Sequence, residues 1–327
     1  MRTKVIFFGL LIALAGLGTE RTFAQQDEDV RGAFLTTRPK AAAKPADKGR
    51  TAGANTKPNR RRPKAVVSNP PASGNTTAKG GPKTTGPTTP KAIAQRLGLG
   101  LTLFMRDSNG LSVRVDPTRE FHKGDHVRVL LETNADGYLY IFNTTSGGAP
   151  LMIYPDPELD EAGNYIQSHV PVEIPSSTAA EERLRWFTFD AIAGIEKLHF
   201  VFTREPLASI PIEDDLITFC RANSAQCPWT PGAEVWANIQ KEMNESVQIA
   251  KPTGIGKAQT DSEAKAATRG IGLNRDDAEP SLIMLTASTS RNMLVATIDL
   301  VHKAASLVGD DESYSGVAEA EAEDPPQ

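Results

Sequence analysis

What the chain lacks narrows it first. Of 327 residues only two are cysteine, 6% are aromatic and 39% are apolar. With 23 prolines and 26 glycines beside them, too little apolar side chain is present to fold the whole length, and part of the chain is expected to stay open. The two cysteines, Cys220 and Cys227 in "FCRANSAQCPW", have no further Cys or nearby His to complete a metal site. A redox dithiol normally has two residues between its cysteines, and this pair is more widely spaced. A structural disulfide closing a small loop in an oxidising compartment is expected.

No apolar run reaches the ~20 residues of a membrane span. The longest, Val5 to Gly18, follows the basic Arg2 and Lys4 and precedes Thr22-Phe23-Ala24. This is the layout of a signal peptide, residues 1–24, cleaved after Ala24. The alternative is a signal anchor in the inner membrane. No Cys follows the run, which argues against a lipid-anchored lipoprotein. The expected location is periplasmic or secreted, with membrane contact only through the signal peptide during export.

Each flank lacks charge of one sign. From Arg38 to Lys91 the only acidic residue is Asp47, while Pro, Ala, Gly, Thr and Lys dominate and "NRRRPK" adds a basic cluster. Residues 25–91 are read as a basic linker that cannot bury enough surface to offset the entropy of ordering. "RGAFLTTR", Arg31 to Arg38, is an apolar island within it, and Phe34 to Thr36 are a candidate strand that docks on a sheet edge. Residues 304–327 are the opposite, an acidic disordered tail without a base. Nucleic acid is not an expected partner, because nothing folded here reads it.

Catalytic signatures are also missing. There is no Gly-rich phosphate loop with its Lys. Ser146-Gly147-Gly148 lacks the pattern of a nucleophile elbow. Asp156 to Glu161 clusters carboxylates, but Glu161 stands where a calcium loop needs Gly. His122 and His126 in "FHKGDH" are the candidate metal pair. They would share a face only in a helix, and Gly124-Asp125 favours a turn, so no metal or cofactor is expected.

What is present, from 92 to 303, is mostly strand. "LGLTLFMR" and "LSVRVD" flank Asp107-Ser108-Asn109-Gly110, a hairpin signal. "HVRVLLET" puts Val127, Val129 and Leu131 on one face. "YLYIF" puts Tyr138, Tyr140 and Phe142 on one face and Leu139 and Ile141 on the other, the mark of a strand covered on both sides. Tyr138, Tyr140, Tyr154 and Asp156 are the candidate binding residues, because a buried Tyr needs a hydroxyl partner. "YIQSHVPVEIP", "LRWFTFD" and "EKLHFVFT" add strands. Short helices are expected at "IPIEDDLITFCRAN" and "TPGAEVWANIQKEM", a loop over 251–279, and a closing hairpin from "SLIMLTAS" to "MLVATIDLVHK". The fold class is mainly β, an antiparallel β-sandwich, Ig-like or barrel-like, with two short C-terminal helices and long disordered tails.

Gly124-Asp125, "DGYLYIFN", "MIYP", "VEIP" and "FTFDAIAGIEKLHFVFTREPL", in that order, resemble domain-of-unknown-function family 4384. The resemblance covers about Leu99 to Leu207, about a third of the chain. It implies a small bacterial β-rich module, found in exported proteins or attached to kinase-like or protease-like domains. It carries no catalytic residues over, and no catalytic domain accompanies the module here. The implied role is a non-catalytic binding module of the cell envelope, its partner a protein or an envelope polymer. The alternative is a metal-assisted hydrolase whose residues meet only in space.

Overall fold

The computed structural model describes residues 19–41, 95–157 and 163–304, with side chains from Gln25 onward. The apolar run of the expected signal peptide, most of the basic linker, the acidic residues at 158–161 and the acidic tail lie outside the described residues.

The mainly β expectation holds, and the strands form two sheets. The seven-stranded sheet contains β1 (Gly98–Arg106), β2 (Ser112–Arg114), β4 (His126–Thr133), β8 (Val172–Ile174), β9 (Phe187–Thr188), β11 (Val247–Ala250) and β12 (Leu282–Thr286). Its order is β11-β12-β1-β4-β8, with β2 on β1 and β9 on β4. The six-stranded sheet contains β3 (Glu120–His122), β5 (Gly137–Thr145), β6 (Leu151–Tyr154), β7 (Tyr165–Ile166), β10 (Gly194–Thr203) and β13 (Met293–Lys303). Its order is β3-β13-β10-β5-β6, with β7 on β5. All pairings are antiparallel except the parallel β3–β13 pair.

Period-two alternation places the core. Leu99, Leu101 and Leu103 of β1, Val127, Val129 and Leu131 of β4, and Leu282 and Met284 of β12 meet Leu139 and Ile141 of β5, Leu198 and Phe200 of β10, and Ile298 and Leu300 of β13 in one cluster. Each fully buried side chain of this kind contributes roughly 1.5–3 kcal/mol. The other face of β5 carries Tyr138, Tyr140 and Phe142. These pack with Val201, Leu216 of α2 (Glu213–Ala222) and Ile239 of α3 (Ala233–Met243) in a second cluster. Both faces of β5 are therefore covered, as its two-sided apolar pattern requires. The expected β1–β2 hairpin is present, with Gly110 at φ +82 and Asp107 accepting from the amides of Asn109 and Leu111.

Among the described residues four α-helices are present rather than two. Helices α2 and α3 lie in mid-chain, because β11, α4, β12 and β13 follow them. Cys220 near the end of α2 is disulfide-bonded to Cys227 on the approach to α3. The expected loop at 251–279 contains α4 (Asp261–Arg269), started by a Thr260/Glu263 capping box and closed by Gly270 at φ +63. The expected closing hairpin is absent: β12 and β13 enter different sheets. Both are central strands with both faces partly covered, and such strands pair where their apolar rows find cover, not with their sequence neighbour.

The largest correction concerns the N-terminal arm. Its apolar island is part of helix α1 (Thr19–Leu35), not a strand, and residues 25–41 of the expected linker belong to the fold. Val30 and Phe34, four residues apart on one helical face, are fully buried against Ala250, Ile283 and Leu285 on the outer face of the seven-stranded sheet. Gly98 and Gly100 make room for the Phe34 ring: a Cβ on Gly98 would stand 2.8 Å from it.

That outer face is secured by three buried arginine–carboxylate pairs: Arg38–Glu132, Arg128–Glu173 and Arg114–Glu263. They join the arm, β8 and α4 to the sheet. Removing one partner of such a pair typically costs about 3–5 kcal/mol.

Candidate functional site: a cleft between the sheet ends

The inner face of the six-stranded sheet is apolar for most of its length and turns polar at one end. In β5 the inward row runs Leu139, Ile141, Asn143, Thr145. In β10 it runs Phe202, Phe200, Leu198, Glu196. In β13 it runs Ile298, Leu300, His302. Antiparallel register brings the polar ends together: Thr145 pairs with Glu196, Glu196 with Leu300, and Gly194 with His302. Ile153 of β6 flanks β5 in the same sheet, and across the gap stand Val127 of β4 and Phe187, Thr188, Phe189 and Asp190 of β9 and its continuation. Together they line a cleft of about 310 Å³.

The cleft has rigid walls. Phe189 stacks on Phe121 of β3 at 4.9 Å and lies 5.1 Å from the His302 ring. Its backbone is bonded to the chain reversal before β4, through Gly124 N–H to its carbonyl and its own N–H to Asp125. Glu196 Oε2 accepts from Asn143 Nδ2 at 2.9 Å and from Thr145 Oγ1 at 2.7 Å. The first bond fixes the Asn143 amide, since a carboxylate only accepts. The oxygen of that amide, Oδ1, is buried without a hydrogen-bond partner among the described residues, and so is Nε2 of His302, a residue only 4% exposed. An unpaired buried polar atom costs on the order of 1–3 kcal/mol. Here two stand in one cavity wall. Among the described residues no Lys or Arg lines the cleft, while Asp190 and Glu196 do.

The sequence-predicted residues lie elsewhere. Tyr138, Tyr140 and Tyr154 are buried in the two apolar clusters, not displayed on a platform. The Tyr140 hydroxyl accepts from Leu207 N–H at 3.0 Å, and burial pushes its pKa up from 10.0. The Tyr154 hydroxyl donates to the Gly163 carbonyl. Asp156 is half-buried beyond β6. His122 and His126 fall on strands of different sheets, β3 and β4, and His126 Nδ1 is bonded to Thr188 Oγ1 at 2.8 Å. Among the described residues no group of three or more His, Cys, Asp or Glu side chains is arranged to hold a metal ion.

Asn143, Glu196 and His302 were missed. Their signal was present within each strand, as a polar residue ending an apolar alternating row. It becomes a site only through the pairing of β5, β10 and β13, which joins residues far apart in the chain.

Two sheets around one core, with a lined cleft at one end, define a mainly β module. Residues 120–206 match the model of the family described as Domain of unknown function (DUF4384). The matched stretch starts at Glu120 rather than Leu99, so β1 and β2 lie outside it. It supplies every cleft residue except Leu300 and His302, which β13 adds. No curated protein and no solved structure matches the chain.

Proposed function

We propose that the two sheets form a β-sandwich that serves as a non-catalytic binding module exported to the bacterial cell envelope, and that the cleft between β9 and the ends of β5, β10 and β13 is its binding site. Export is supported by the basic start, short apolar run and Ala24 of the N-terminus, and by the Cys220–Cys227 disulfide, which suits an oxidising compartment. The observation that carries the binding role is a cavity with apolar walls from Val127, Ile153, Phe187, Phe189, Leu198 and Leu300, into whose lining enter Asn143 and His302, each with a buried polar atom, Oδ1 and Nε2, that has no partner among the described residues. A few placed polar groups in an apolar concavity are the usual makeup of a small-ligand site.

Thr145, exposed at the rim, allows a test that leaves the core alone. The full chain is expressed in a bacterium, recovered from the extracytoplasmic fraction, and incubated with envelope extract before native mass spectrometry. The wild type is expected to carry an added mass that a Thr145→Trp variant loses. An added mass retained by that variant, or none in either, contradicts the cleft as the site. Recovery only from the cytoplasm contradicts export.

A further inference from the structure

We propose that the cleft takes a small organic cation, an ammonium or guanidinium group on a short aliphatic stem. The inference rests on the binding reading above and adds the class of ligand.

The polar groups decide the charge. Asn143 presents an acceptor, because its Nδ2 is engaged by Glu196. The oxygen left over is buried and can only accept. Glu196 stands beside it, half-buried, with Asp190 exposed at the rim. Among the described residues the lining holds these two carboxylates and no Lys or Arg. An anionic ligand would meet two like charges and no counter-charge. A cation with N–H donors meets carboxylates that accept in charge-assisted bonds. In the tautomer protonated on Nδ1, the unpartnered Nε2 of His302 is one more acceptor.

The walls decide the rest. Val127, Ile153, Leu198 and Leu300, with the rings of Phe187 and Phe189, are apolar. A hydrated inorganic ion would leave them without contact, whereas an aliphatic stem covers them, and aromatic rings favour a nearby cation. The volume of about 310 Å³ stands at the lower end of small-molecule sites, so it fits a side-chain-sized ligand. Two sources share this chemistry: a free alkylamine, or a Lys or Arg side chain of another protein.

The experiment is an NMR titration of the isotope-labelled full chain. The probes are n-butylammonium, Nα-acetyl-lysinamide, butyrate and butanol. Butylammonium or acetyl-lysinamide is expected to saturate, with shifts centred on Asn143, Thr145, Glu196 and His302. Glu196→Gln should weaken that binding about tenfold or more, and Asp190→Asn, at the exposed rim, about two- to threefold. Should Glu196→Gln not fold, the rim variant and a weakening of wild-type binding by added salt carry the test. Tighter binding of acetyl-lysinamide than of butylammonium assigns the source to a protein side chain. The reverse order assigns it to a free amine. Butyrate or butanol binding as tightly as butylammonium overturns the cationic class while leaving the cleft a binding site. No cleft shift with any probe up to ~20 mM overturns both.

Discussion

Two polar clusters in this molecule hold a histidine and a glutamate beside apolar surroundings, and they differ in how completely their polar atoms are paired. On the outer face of the seven-stranded sheet, Arg38 forks onto Glu132, with Nε to Oε1 at 2.8 Å and Nη2 to Oε2 at 2.6 Å. Its remaining donors reach the carbonyls of Asn274, Asp277 and Ala278. His169 bridges Glu132 Oε1 and the Thr37 hydroxyl, at 2.7 and 2.9 Å. Every side-chain nitrogen and carboxylate oxygen in that set has a partner. In the cleft at the sheet ends, Glu196 engages Asn143 and Thr145, yet Asn143 Oδ1 and His302 Nε2 have none among the described residues. A satisfied buried network rigidifies and locates a segment. An unsatisfied one lowers stability and is retained where something else completes it. The first cluster belongs to the fold; the second is the site proposed above for a ligand.

The largest expected effect breaks the closed cluster. Arg38→Met leaves Glu132 buried without its counter-charge, and urea unfolding should show a loss of about 3–5 kcal/mol. Phe34→Ala keeps the ion pair and removes the arm's apolar anchor. The expected loss is about 3 kcal/mol, and hydrogen exchange should show faster amides from Val30 to Arg38 before the sheets exchange. A variant arm that exchanges no faster than the wild type contradicts the docked helix.

Acid probes a third histidine and sharpens the contrast. His199 is bonded through both ring nitrogens, to the hydroxyls of Thr144 and Thr297, and lies edge-on to Trp236. Burial lowers its pKa from 6.5 to about 4, with a smaller contribution from Lys197. The fold therefore favours the neutral ring. Its contribution is complete above pH 6.5 and is lost as the pH falls from 6.5 to about 4, on the order of 2–3 kcal/mol. Glu132 behaves differently. Burial alone would raise its pKa, but hydrogen bonds from His169 and Arg38 and their charge bring it below 4.5. Its contribution is complete above pH 4.5 and is lost only as the pH falls through that lowered value. Stability measured from pH 7 to 3 should decline in two stages, and His199→Gln should remove the first. A single decline below pH 4.5 in the wild type contradicts the His199 assignment.

The smallest effect is expected in the cleft. His302→Leu removes an unpartnered nitrogen from a wall shared with Phe189, so stability should stay within about 1 kcal/mol of wild type or rise. A loss as large as that of Arg38→Met would mean that His302 has a structural partner.

How much was legible in the sequence follows from how far each signal reaches along the chain. The Asn109-Gly110 hairpin, the two faces of β5 and the helices at 213–222 and 233–243 rest on local periodicity and turn chemistry, and those readings match the structure. Helix α4 was also local: Thr260, Glu263 and Gly270 mark its ends, but the polar, Gly-containing stretch from 251 to 279 around it resembles a loop by composition. The arm was misread because Val30 was left outside the apolar island, which hid its four-residue spacing to Phe34. Arg38 was read as linker charge. Nothing near it in sequence announces Glu132, 94 residues away. The cleft has the same property: its polar row-ends lie on β5, β10 and β13, and only non-local strand pairing assembles them.

The most direct test sets the two glutamates side by side. Glu132→Gln and Glu196→Gln are the same chemical change in the two clusters, and equilibrium urea unfolding of both at pH 7 compares them on one scale. The predicted result is a loss of about 3 kcal/mol or more for Glu132→Gln and a change within about 1 kcal/mol for Glu196→Gln. Equal losses in the two variants would contradict the account, because the cleft carboxylate would then hold the fold together as the buried one does.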